Sequence, residues 1–246
     1  MAHAGAEQVL VPPLPLRFPV ATRALVKLLY WSERLRGRHC YDDFIVERIQ
    51  GVPILVTPSV FNPKRLRTGE FFAAQLQASV IGPNFEVLDL GTGSGVCAVF
   101  AARHARRVVA VDINAAAVRC AGVNALLNGA EQRVDTRHGD LFAPVAGECF
   151  DLILFNPPFV IGEPRNDRDR AWRATDVAAR FAEGLARHLK PDGAALLLLS
   201  TYGDAAAFLA ALLARGHCIT RLAQRRYVGE HLTLYRVTAG YTGEAT

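Results

Sequence analysis

From residue 85 onward, short apolar runs alternate regularly with helical patterns. The runs are Glu86–Leu90, Arg107–Asp112, Val134–Gly139, Asp151–Phe155 and Ala194–Ser200. Between them, Val96–Arg103, Ala115–Asn128, Thr175–Leu189 and Asp204–Arg215 read as helices. The runs are almost continuously apolar rather than alternating. Strands of that kind are buried on both faces, as in a parallel sheet covered by helices on each side. Two more strands, Ile219–Arg226 and His231–Thr238, flank Val228-Gly229, so an antiparallel hairpin is expected to close the sheet. The expected fold class is α/β.

Upstream of residue 57 the signals differ. Pro12, Pro13, Pro15 and Pro19 break up the first twenty residues. Ala21–Arg36 spaces Leu25, Leu28, Leu29 and Leu35 as a helix would, and Gly37 ends it. Tyr41–Arg48 and Val52–Val56 are rich in β-branched and aromatic residues and are separated by Gln50-Gly51, which predicts a hairpin. Gly69–Val80 reads as a helix that stops near Gly82-Pro83. The chain therefore divides into an extension over 1–57, a candidate substrate-recognition element, and a main domain over 58–246.

Composition limits the alternatives. The five cysteines are scattered with no C-x-x-C pair, the pattern of reduced thiols in a cytoplasmic protein. The N-terminus has neither a basic start nor an apolar core, so no secretory leader is expected. Apolar runs such as Ala194–Leu199 are far shorter than a membrane span, and no membrane partner is expected. The seven histidines show no ligand spacing, so no metal is expected. The net charge of +5 is the excess of 28 basic over 23 acidic residues, and the basic set is 25 arginines and 3 lysines. That excess fits either a nucleic-acid partner or an arginine-biased surface.

Asp89-Leu90-Gly91-Thr92-Gly93-Ser94-Gly95 places a glycine-rich turn between a strand and a helix. Glycines there let a ligand approach the backbone, and the helix start offers free N–H groups. A dinucleotide site would have such a turn too. The acids decide against it. Asp89 lies inside the strand, where a carboxylate repels a pyrophosphate but suits an ammonium group. Asp112, followed by Ile113, ends the next strand, where a carboxylate can accept from both ribose hydroxyls. Asp140-Leu141 ends the third, beside the expected place of a purine amino group. A nucleoside carrying a cationic amino-acid tail meets these demands, and S-adenosylmethionine (SAM) is that molecule. The candidate cofactor residues are Asp89, Gly91, Thr92, Gly93, Gly95, Asp112, Ile113, Asp140, Leu141 and Asn156.

The next strand runs into Asn156-Pro157-Pro158-Phe159. Proline removes an N–H and fixes φ, so this turn presents acceptors on a stiff frame. The Asn156 side-chain oxygen and the Pro157 carbonyl can each accept one hydrogen of a planar –NH₂ group. Phe159 can stack on that group and exclude water. Asn156, Pro157, Pro158 and Phe159 are therefore the candidate catalytic residues, acting by positioning and electrostatic preorganisation.

These motifs, with Val111-Asp112-Ile113-Asn114 and the hairpin Arg226–Arg236, resemble class I SAM-dependent methyltransferases of the Asn-Pro-Pro-aromatic group, and within it the HemK-type protein-glutamine N5-methyltransferases. The resemblance covers about residues 58–238. It implies a Rossmann-like seven-stranded sheet whose last strand is antiparallel. It also implies that Pro58–Phe72 packs over the methionine end of SAM, with Thr68 and Gly69 nearby, and that Asn156 and Pro157 hold an amide. A protein glutamine is then the expected substrate. An exocyclic amine of RNA or DNA, adenine N6 or guanine N2, is the alternative, since both targets are planar –NH₂ groups. Guanine-N2 enzymes often carry His after the aromatic, where this chain has Val160. A small molecule of secondary metabolism is a further alternative, and a non-catalytic binding module is another. The charged loop Gly162–Trp172, where Arg165, Arg168 and Arg170 interleave with Asp167 and Asp169, fits either a substrate lid or a solvated loop with local ion pairs.

Overall fold

The computed structural model describes residues 43–65, 67–157, 160–161, 173–174 and 176–240. Met1–Asp42, with the expected helix at Ala21–Arg36, lies outside the described residues, as do Pro158, Phe159 and the loop from Gly162 to Trp172.

The hairpin expected before the main domain is present as β1 (Ile45–Ile49) and β2 (Val52–Val56). Ile49 pairs with Val52, leaving Gln50-Gly51 as a two-residue turn, and both turn residues have positive φ. That conformation matches the twist of the paired strands.

Seven strands form the main sheet. They are β3 (Glu86–Leu90), β4 (Arg107–Asp112), β5 (Val134–His138), β6 (Phe150–Phe155), β9 (Leu189–Ser200), β10 (Cys218–Tyr227) and β11 (Glu230–Thr238). Their spatial order is β10-β11-β9-β6-β3-β4-β5. The five strands from β9 to β5 are parallel, and β11 enters antiparallel between β9 and β10. The fold is the expected Rossmann-like seven-stranded one with an antiparallel last strand. Two residues each of β7 (Val160–Ile161) and β8 (Arg173–Ala174) pair apart from this sheet.

Helices cover both faces. On one side α1 (Thr68–Ala73), α2 (Val96–Ala101) and the β-hairpin bury Phe71, Phe72, Phe100, Ile49 and Ile54 against Val87, Leu154, Leu198 and Leu234. The same face carries α3 (Ala115–Leu127). On the other side α4 (Val177–His188) and α5 (Ala205–Leu213) bury Phe181, Leu185, Phe208 and Leu212 against Leu88, Ile153, Leu197 and Tyr235.

The hairpin is fastened to α3 through polar contacts. Asn124 is fully buried in α3. Its Oδ1 accepts from Leu55 N at 2.7 Å, and its Nδ2 donates to Leu55 O at 2.6 Å and to Ser94 O at 2.8 Å. Asn128 Nδ2 donates to Pro53 O at 3.0 Å. One side chain thus joins β2, α3 and the glycine-rich turn.

Two expected extents differ from the structure. The helix expected over Gly69–Val80 ends at Ala73 and continues as tight turns. Leu76 and Ile81 are both buried. On a continuous helix they would point about 140° apart, and the turns let both reach the core. Conversely, the strand expected over Ala194–Ser200 begins at Leu189, ahead of Pro191-Asp192-Gly193. Phe150 pairs with Leu189 and Leu152 with Ala194, so that tripeptide bulges out while the pairing resumes beyond it.

Candidate functional site at the carboxyl ends of the strands

The glycine-rich turn leaves β3 with Gly91, Gly93 and Gly95 at φ of 62°, 56° and 79°. A Cβ at Gly95 would stand 2.7 Å from Ala121 Cα, so only glycine lets this turn press against α3. A Cβ at Gly93 would meet nothing nearer than 4.0 Å, so the outer side of the turn is open.

Asp89 is buried beneath the turn, at 4% exposure. Its Oδ2 accepts from Thr92 Oγ1 at 2.6 Å. Burial pushes its carboxyl up to about 7, against the pull of that hydrogen bond, and the Asp112 charge adds to the rise. Asp112 ends β4 and turns back to the glycines. Its Oδ2 accepts from Gly93 N at 2.9 Å and its Oδ1 from Asn114 N at 2.8 Å. Burial raises its pKa, and these two hydrogen bonds oppose the rise. Each oxygen keeps a lone pair for a further donor. Asn114 caps α3, accepting from Ala116 N at 2.9 Å, and donates to Ser59 O at 3.0 Å, which draws the segment after the hairpin to the same end of the sheet.

Asn156 follows β6 directly. Leu90 and Phe155 pair across β3 and β6, so Gly91 and Asn156 leave adjacent strand ends. Asn156 Nδ2 donates to Thr68 Oγ1 at 3.4 Å, and Thr68 is only 1% exposed at the start of α1. Asn156 Oδ1 is buried without a hydrogen-bond partner among the described residues. Such an acceptor is a cost of order 1–3 kcal/mol to the fold unless a donor arrives. Beneath it, Phe155 packs on Phe181 with centroids 4.8 Å apart.

Asp140 is placed differently. Its Oδ2 accepts from Arg180 Nη2 at 2.6 Å, and both side chains are 41% exposed. Leu141 beside it has φ of 46°. Thus Asp89, the glycines, Asp112, Thr68 and Asn156 gather at one end of the sheet, while the carboxylate of Asp140 is engaged by α4. Sequence reading missed Asn124, whose only signal is a polar residue on the small-residue face of α3 beside Ala117, Cys120 and Ala121. It also missed Ser94, whose buried hydroxyl has no hydrogen-bond partner.

A buried carboxylate with no cation beside it, a turn that tolerates close approach and a second acid at the next strand end fit the tail, backbone and ribose of a nucleoside such as SAM. Among the described residues no group of His, Cys, Asp and Glu could hold a metal ion, and no helix is long and apolar enough to cross a membrane.

Comparison with known proteins agrees with this geometry. The ribosomal RNA small subunit methyltransferase C of Alcanivorax borkumensis is 35% identical over 137 residues, 55% of this chain and 39% of that protein. The release factor glutamine methyltransferase of Cereibacter sphaeroides is 36% identical over 213 residues, 80% of this chain and 74% of that protein. This chain thus spans about two fifths of the rRNA enzyme. Among solved structures, the T. thermophilus 16S rRNA N2 methyltransferase in complex with AdoMet and guanosine has a TM-score of 0.60 at 21% identity, over 80% of this chain and 50% of that one. The methyltransferase small domain matches residues 51–226, and the chain belongs to that family of class I SAM-dependent methyltransferases.

Proposed function

We propose that this protein transfers the methyl group of SAM to the nitrogen of a planar –NH₂ group, and that its substrate is a glutamine side-chain amide in a protein. The observation that carries this reading is the buried, unpartnered Oδ1 of Asn156, one strand from the glycine-rich turn. SAM, when bound, supplies an electrophilic methyl group. The chain's own part is to hold the acceptor. Asn156 Oδ1 and the Pro157 carbonyl each accept one hydrogen of the –NH₂ group. They fix its plane and favour positive charge on nitrogen as the N–C bond forms. The nitrogen then releases a proton, so no strong base is required. Asp89 pairs with the cofactor's ammonium, and Asp112 accepts from the ribose hydroxyls. Thr68 braces Asn156. Pro158 and Phe159 are assigned to the acceptor side of the reaction, and Gly91, Thr92, Gly93, Gly95 and Ile113 to the cofactor. Leu141 borders the purine. Asp140 reaches the purine amino group by releasing Arg180.

The similarity over 74% of a release factor glutamine methyltransferase supports a protein amide. A second reading, an exocyclic amine of RNA, is favoured by one feature. Arg221, Arg226 and Arg236 on β10 and β11 have no carboxylate partner among the described residues. Such a surface suits phosphates.

Methyl transfer from radiolabelled SAM into extract of a strain lacking this protein separates the readings. Label removed by protease alone is the expected result. Label removed by ribonuclease alone transfers the conclusion to RNA, and label found only in small molecules overturns both.

The raised pKa of Asp89 gives a pH dependence. Its carboxyl is largely neutral at pH 6 and largely ionised at pH 8, and only the anion attracts an ammonium. SAM affinity should therefore rise about tenfold over that interval. The folded pKa lies above the unfolded one, so Asp89 favours the fold at low pH, and that contribution is lost as pH rises through about 7. Calorimetric titrations of SAM at both pH values check this, and Asp89→Asn should flatten the profile. An equal slope in that variant would refute the assignment.

A further inference from the structure

Arg67, immediately before α1, is held at φ of 62°, a left-handed conformation that a long side chain seldom adopts. Residues in such conformations persist when their surroundings hold them. The holder here comes from the far end of the chain. The Arg67 guanidinium carbon lies 4.7 Å from the ring centroid of Tyr227, the last residue of β10. Arg225 approaches the same ring at 5.5 Å. Across the turn, Glu230 accepts from Ser200 Oγ at 2.6 Å; burial raises its pKa, and that hydrogen bond and then the Arg67 charge oppose the rise. The tip of the β10–β11 hairpin therefore offers Arg67 an aromatic face. Arg67 in turn starts the helix whose first side chain, Thr68, meets the Asn156 amide. The amide nitrogen faces Thr68 at 3.4 Å, and the oxygen is the end with no partner among the described residues.

We propose that Tyr227 is a positioning residue for methyl transfer. Its ring clamps Arg67, the clamp fixes Thr68, and Thr68 sets the plane of the Asn156 amide. The inference rests on the acceptor role proposed for Asn156. Within it, the hairpin that closes the sheet also sets the geometry of the acceptor. Tyr227 itself touches neither substrate nor cofactor.

The test uses the full chain, with radiolabelled SAM at saturation and extract of a strain lacking the protein as methyl acceptor. Tyr227→Ala should lower the rate about tenfold, within the range for a small misplacement of a positioned group, and leave the SAM dissociation constant unchanged. Tyr227→Phe keeps the aromatic face and should restore the rate. Arg67→Gly, which accepts the positive φ but removes the guanidinium, should reproduce the Tyr227→Ala loss. Thr68→Val in the Tyr227→Ala background should add little further loss, because both act through one contact. A second readout needs no acceptor. The Asn156 side-chain NH₂ resonances, assigned by their disappearance in Asn156→Asp, should shift in Tyr227→Ala and stay in place in Tyr227→Phe. Unmoved resonances in Tyr227→Ala, or losses that multiply in the double variant, would overturn the clamp. If Asn156→Ala slows transfer and Tyr227→Ala does not, the clamp alone fails. If Asn156→Ala transfers at the full rate, the acceptor role fails, and the clamp's role in transfer fails with it even where the resonances move.

Discussion

Replacing Asn156 by Ala should lower turnover by about two to three orders of magnitude while SAM binds almost as before, the scale for losing one preorganised polar group. The side chain sits beyond β6, one strand from the glycine-rich turn, and its nitrogen end is occupied by Thr68. Its oxygen end is the part with no partner. Truncation removes an acceptor that the fold does not need for its own hydrogen bonding. Stability should therefore change little, because relief of one unsatisfied buried group is offset by the loss of the buried Thr68 hydroxyl's partner. Single-turnover rates and SAM titrations on the same preparation check this. A collapse of SAM affinity with intact turnover at saturation would assign Asn156 to the cofactor instead.

The largest effect on stability is expected at Asn124. Asn124→Ala leaves Leu55 N and Ser94 O without their side-chain partner in a buried place, and leaves Leu55 O only the weak Cys120 thiol donor. At about 1–3 kcal/mol for each group deprived of a partner, partly offset by relaxation, the loss should be about 3–5 kcal/mol. Urea denaturation followed by circular dichroism measures it. SAM affinity should fall as well, because the Ser94 carbonyl belongs to the glycine-rich turn. A loss below about 1 kcal/mol would mean that the hairpin is held by its apolar contacts alone.

Much of this architecture is legible in the sequence because buried parallel strands leave a strong mark. Glu86–Leu90 and Arg107–Asp112 are bounded as their apolar runs are, since each begins where the chain leaves the surface and ends where a site residue begins. The hairpin turn at Gln50-Gly51 is legible because Gly51 accepts positive φ and two β-rich runs flank the pair. Where the core sets the outcome instead, local pattern fails. Leu76 and Ile81 break α1 by both demanding burial, and β9 starts five residues before its apolar run because Leu189 already pairs with Phe150.

The candidate site divides in the same way. Asp89, Asp112 and Asn156 are readable because a polar residue at the end of a buried strand has few structural reasons to be there. The glycines are readable because their conformations exclude other residues. Thr68 enters only through resemblance, since its contact with Asn156 spans the sheet. Asn124 and the pairing of Arg67 with Tyr227 depend on which elements meet in space, and no spacing along the chain encodes that. Asp140 was legible as an acid at a strand end, but its partner Arg180 is set by how α4 packs.

The pairing of Leu90 with Phe155 has a wider consequence. The turn proposed to hold the methyl donor and the turn proposed to hold the acceptor spring from neighbouring strands, whose separation is fixed at about 4.8 Å by backbone hydrogen bonds. The reaction distance is then inherited from the repeat of the sheet and needs no closing motion to set it. Loops that choose the substrate can be exchanged in evolution like fittings on a machined bed, and the stroke of the reaction keeps its length.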